Sequence, residues 1–256
     1  MDLAALLEQA CPIVNKAGWA FYFTPETVAR GDAQGLDSFM FYVAGRGGVL
    51  GDVEPPVVAA AFGYFNPDVI ALLWDAARLK VRPRDAAREF IAAAHDFGRT
   101  VFAGTDGLDG FAAAAKVVID RARTDVSALS LFAAIAAEPE PAPDDLAALA
   151  MHRLMVLREF RGSAHLVAVV ATGIEPRIAH FIRRPDLYEM FGWPKDAAPQ
   201  ITDAETALLA AAEEMTDRLV GPAYAALDDE GARALLHGLA GIESALARAS
   251  VPGARQ

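Results

Sequence analysis

The chain has 256 residues, 54% of them hydrophobic and 22% charged, with a formal net charge of −11. That length supports one or two domains with a sizeable core, and 55 alanines, the residue that loses least entropy in a helix, exclude a disordered chain. One cysteine, Cys11, and a start at Met1-Asp2-Leu3 without a basic stretch argue against secretion, and the runs Val57 to Phe65 and Leu131 to Ala137 fall short of the roughly 18 apolar residues of a span, so a cytoplasmic protein with no membrane partner is expected.

Apolar positions recur at helical spacing and strand signals are nearly absent. A first helix is predicted near Leu3 to Asn15, carrying Pro12. Thr24-Pro25-Glu26 reads as an N-cap with proline at the first helical position, and Asn66-Pro67-Asp68 repeats that grammar ahead of a helix to about Lys80. Further helices are expected at Arg84 to Asp96, Gly110 to Arg123 and Val126 to Ala137. The alternating prolines of Glu138-Pro139-Glu140-Pro141-Ala142-Pro143-Asp144 forbid a helix and favour an extended connector.

Beyond it, helices are expected from Asp144 to about Phe160, broken by Arg161-Gly162, then from Ser163 to Thr172, and again from Pro176. Arg184 to Gln200 lacks helical periodicity. Thr202-Asp203-Ala204-Glu205 has capping-box spacing and opens a helix to about Leu219. A last helix from Asp229 to Ala247 precedes a frayed tail, Val251 to Gln256.

Val169 to Ile182 fits a helix-turn-helix register. Gly173 supplies the residue at which the chain leaves the first helix, Ile174 plugs the space between helices, and Ala179 and Ile182 face inward. Ala59, Gly63, Tyr64, Val69 and Leu72 repeat those spacings in the first half. Each register follows an arginine-glycine break, Gly45-Arg46-Gly47-Gly48 or Arg161-Gly162. From Gly173 to Thr202 is nine residues longer than from Gly63 to Pro83, about what a small wing adds. The expected fold is therefore all-α, with two helix-turn-helix-like units, the second carrying a small β-wing as a hairpin between Arg184 and Thr202. The units are residues 1–138, a degenerate copy, and 144–256, joined by the connector 139–143.

At these residues the chain resembles known families. Asp144 to Ala247 resembles the winged-helix pattern of MarR-type regulators, whose final long helices build a dimer. Phe41-Tyr42-Val43-Ala44-Gly45-Arg46, Leu157 to His165 and Thr216-Asp217-Arg218-Leu219 together resemble a largely uncharacterised actinobacterial family labelled helix-turn-helix, over almost the whole chain. The resemblance implies a fold and a homodimer, and carries over no catalytic residue.

Duplex DNA is held by neutralising phosphates. Between Met151 and Asp196 seven basic residues face five acidic ones, although the chain is acidic overall. Arg177, His180, Arg183 and Arg184 fall on or just beyond the second helix of the motif, with Lys195 on the expected wing. These are the DNA-contact candidates, set against their being a solvated helix face. The first copy offers Asp68 and Asp75 before any arginine and reads as structural.

No metal or cofactor is expected, because no two of His95, His152, His165, His180 and His237 stand three or four apart. Ser163-Ala164-His165 lacks the turn and orienting acid of a nucleophile, Cys11 reads as a core thiol, and the glycine-rich segment from Gly45 lacks the phosphate-loop lysine. Tyr22, Tyr42 and Arg46, with Arg161 and His165, are the candidate lining of a cleft between the halves for a small acidic or aromatic ligand; if one arginine is buried there, Glu159 or an anion must meet it. Three functions follow: a winged helix-turn-helix regulator or ligand sensor; a small-molecule-binding protein or enzyme, an accessory of specialised metabolism, without DNA binding; or an interaction module using its acidic helices.

Overall fold

A side-chain cap or a proline in the first turn sets most helix starts in the computed structural model, which describes residues 1–249. Helix α1 (Leu3–Gly18) runs through Pro12 and extends three residues past the expected end at Asn15, with Ala17 and Gly18 continuing its buried stripe. Thr24 Oγ1 accepts from the Thr27 amide to cap α2 (Pro25–Asp32), Asp37 caps α3 (Ser38–Gly47), and Asn66 caps α5 (Pro67–Arg78) after the short α4 (Pro55–Phe62). There follow α6 (Pro83–Val101), α7 (Leu108–Ala122) and α8 (Ser130–Ile135). The second half holds α9 (Leu146–Thr172), α10 (Pro176–Arg183), α11 (Asp203–Tyr224) and α12 (Asp229–Arg248), and Thr202 and Glu205 form the expected capping box. The tail from Val251 lies outside the described residues.

The β-wing is not there: no strand occurs among the described residues. Between Arg184 and Thr202 the chain makes 3-10 turns at Pro185–Leu187 and Lys195–Ala197 instead of a hairpin. The reason is long-range burial. Phe191 stacks on Phe65 with ring centres 3.8 Å apart, and Trp193 Nε1 donates to the Tyr64 carbonyl at 2.9 Å. Asn66 uses its amide and side-chain nitrogens on the carbonyls of Phe191 and Gly192. Two carbonyls that a hairpin could have paired are thus satisfied by the first half, while the other backbone bonds of the segment close local turns.

Arg161-Gly162 does not break the chain, and the predicted helix Ser163 to Thr172 is the last part of α9. Packing of α9 against α1, α6, α7, α8 and α11 outweighs the local preference of one glycine. A Cβ at Gly162 would meet nothing within 4 Å. Gly162→Ala should therefore stabilise the protein by about 0.5–1 kcal/mol, read as a higher urea midpoint at unchanged slope. The glycine-rich segment from Gly45 is likewise mostly helical, forming the end of α3 and a 3-10 turn at Gly48–Leu50. The helix expected from Val126 shrinks to α8, because Asp125 turns the chain by accepting from the Ser127 amide and Ala128 adopts φ +62°.

The two turn glycines fall where the register requires. Gly63 ends α4 at φ +66° and Gly173 ends α9 at φ +82°, conformations costly for a side chain. Ile174 and Ala179 are buried, and with Ala168, Val169, Leu209 and Ala212 they form a small core beneath α10. The first copy is less faithful, since Leu72, the counterpart of Ile182, is 70% exposed. One large core runs from Leu6 to Leu246 and draws on helices from both sides of the proline connector. That connector is non-helical, and Arg153 of α9 pins it by donating to Glu140 and to the Ala112 carbonyl.

Candidate functional site

Tyr22, Tyr42 and Arg46 do come together, and the group that joins them is Glu159. Arg46 donates Nε and Nη2 to the two Glu159 oxygens at 2.8 and 2.9 Å, and Nη1 to the Tyr42 hydroxyl at 3.0 Å. Tyr22 donates to the same carboxylate at 3.3 Å. Arg158 adds a bond to Glu159 at 2.5 Å and lies over the Tyr22 ring. The carboxylate is 2% exposed as a residue, so burial alone would raise its pKa; the adjacent Arg46 and Arg158 charges and their hydrogen bonds outweigh that and hold it at about 2. Two guanidiniums thus share one buried carboxylate, and Arg158 Nε has no hydrogen-bond partner. The expectation that Glu159 meets a buried arginine matches this geometry. Nothing in the sequence singles out Arg158, because consecutive residues on a helix normally face apart.

Arg161 and His165 form a second cluster on the same helix. Arg161 donates to Glu213 at 3.0 Å and lies 3.7 Å from Asp217, while Arg183 of α10 reaches Glu213 at 2.5 Å. Thr216 spends its hydroxyl proton on the Ala212 carbonyl at 2.7 Å. His165 Nδ1, 2.9 Å from that hydroxyl oxygen, must therefore be the donor. Its other nitrogen stands 3.6 Å from Glu213, and burial lowers the imidazole's pKa despite that carboxylate. Cys11 is buried beside Arg161 and its pKa is raised by that burial, as suits a core thiol.

Tyr64 lies between the clusters. Its ring is 6.3 Å from His165, and the charges of Arg161, Arg158 and Arg46 all act on a hydroxyl that is buried, raised in pKa by desolvation, and without a partner. From the first cluster, rings follow one another towards α10: Tyr22 to Tyr42 at 5.3 Å, Tyr42 to Phe65 at 5.8 Å, Phe65 to Phe191 at 3.8 Å and Phe191 to His180 at 3.7 Å. Phe65 and Phe191 do not stand out in the sequence, since both lie in non-helical connections and meet only through the fold.

The DNA-contact candidates sit on or beside α10, but most are engaged by the protein itself. Arg177 pairs with Glu175 at 3.0 Å and lies over Trp193. His180 turns inward onto Phe191, and burial lowers its pKa to about 4. Arg183 is 56% exposed at its side chain while bound to Glu213, Arg184 is paired with Asp186, and Lys195 projects at 86% exposure, 4.0 Å from Glu189. Arg183 and Lys195 are thus the most solvent-facing cations of the set.

The turn at Gly173 and the plugged core beneath α10 agree with a match, over residues 8–252, to the model of a family described as a helix-turn-helix family. The chain belongs to that helix-turn-helix family. No curated protein and no solved structure matches it. Membership of a helix-turn-helix family suggests a DNA-binding regulator in general, and no helix among the described residues is long and apolar enough to cross a membrane.

Proposed function

We propose that this protein is a cytoplasmic, homodimeric helix-turn-helix regulator whose DNA binding responds to a small acidic ligand. Residues 1–138 and 144–256 act as two helical units across the connector 139–143, the first structural and the second presenting α10 to DNA. Tyr22, Tyr42, Arg46, Arg161 and His165 supply the ligand site, and Arg177, Arg183, Arg184 and Lys195 bind the phosphates, with His180 linking the two. The observation that carries this reading is the aromatic chain from Tyr22 to His180, which links the Arg46–Glu159 cluster to α10 through successive ring contacts.

Recovery of fragments from sheared genomic DNA at low salt tests the regulator. A specific fragment should be retained, and its affinity should fall with salt. The double variant Arg183→Ala, Lys195→Ala should lower the slope of log affinity against log salt by about 0.9 for each phosphate left without its cation. Retention of no fragment by the unmodified protein would overturn it.

A second reading, a ligand-binding protein on the same scaffold without DNA binding, is favoured by the carboxylates already paired with Arg177, Arg183 and Arg184. It predicts ligand binding with no retained fragment.

A further inference from the structure

A groove of about 460 Å³ opens between α4, the start of α8 and α9. Its walls are Val57, Ala60 and Ala61 on one side and Leu166 and Val167 on the other, with Leu131 as its floor. The size lies within the roughly 300–1,000 Å³ range of small-molecule sites. Leu131, itself 2% exposed, also lines a void of about 10 Å³ whose other walls include Tyr22, Arg46 and Glu159. One leucine thus separates an apolar groove from the arginine cluster.

Two features make that partition movable and the far side receptive. Leu131 belongs to the six-residue α8, entered through Ala128, whose φ of +62° is unique among the described non-glycine residues and lies on the groove's rim. Strain of this kind gathers at ligand clamps and switches. Beyond Leu131, Arg46 and Arg158, whose side chains are 11% and 19% exposed, share a single carboxylate, leaving one positive charge in excess in that cluster. A second carboxylate arriving there would be stabilised by a charge-assisted bond and would complete the pairing.

We propose that this groove binds an amphipathic organic acid, its hydrocarbon body between α4 and α9 and its carboxylate reaching Arg46 past a displaced Leu131. This rests on the ligand half of the functional reading and names the ligand class. Decanoate and decanol, titrated calorimetrically into the full chain, test it without DNA, so a failure of DNA binding leaves the result intact.

Decanoate should bind saturably and at least tenfold more tightly than decanol. Ala60 is exposed, so Ala60→Trp should keep the melting temperature while weakening decanoate at least tenfold by filling the groove; Val167→Trp should do the same from the opposite wall. Absence of saturable decanoate binding, equal affinity for acid and alcohol, or full affinity in both tryptophan variants would each overturn the proposal.

Discussion

Glu159→Gln is expected to destabilise the fold by about 3–5 kcal/mol, the cost of leaving buried charge without its partner. The glutamine keeps the shape of the side chain and part of its hydrogen bonding, so the loss reports chiefly the missing charge opposite Arg46 and Arg158. Urea denaturation should show a lower midpoint. Adding Arg46→Met should recover part of the loss, because the second change removes one of the stranded cations; strict additivity of the two would contradict the coupling. The same group predicts an acid limb. Its pKa is held at about 2 against an ordinary 4.5, so its contribution is fully present above pH 4.5 and fades as pH falls towards 2.

Stability should also fall at milder acidity, between pH 6.5 and about 4. Burial lowers the pKa of His95, His152 and His180 to about 4 in each case, reinforced for His95 by the charge of Arg99, for His152 by the charge of His95 and for His180 by that of Arg184. His95 Nε2 and His152 Nδ1 are 3.1 Å apart across α6 and α9. The unfolded chain takes up these protons near pH 6.5 and the folded chain only near 4, so stability is complete above 6.5 and drains as pH drops through that interval. The summed loss should reach several kcal/mol after allowance for the partial exposure of His95 and His180. Melting temperature against pH should show the decline above the Glu159 limb, and His152→Asn should make it shallower. A flat profile from pH 6.5 to 4.5 would contradict the neutral histidine pair.

Features governed by neighbours in sequence are legible without the structure. Thr24, Asn66 and Thr202 cap helices because a side-chain oxygen two or three residues from an amide needs no distant partner. Gly63 and Gly173 mark turns for a similarly local reason. Arg184 to Gln200 misleads because Pro185, Gly192 and Pro194 suit a hairpin and an irregular turn equally, and what decides is where Phe191 and Trp193 find cover. Gly162 misleads in the opposite direction, its local weakness overridden by the packing of α9 on both sides. At the candidate site, the pairing of Arg46 with Glu159 follows from the cost of burying a guanidinium alone. Tyr64 and Glu213 acquire their roles through neighbours more than 50 residues away, and Arg158 is held beside its own neighbour Glu159 by the distant Tyr22 and Arg46.

If the arginine cluster and α10 act on one another, decanoate must change the affinity of the protein for its retained DNA fragment. That affinity, measured at fixed salt with no decanoate and with saturating decanoate, should differ at least fivefold between the two conditions. Saturating DNA should shift decanoate affinity by the same factor, as linkage requires. Equal DNA affinities with and without decanoate would contradict the coupling.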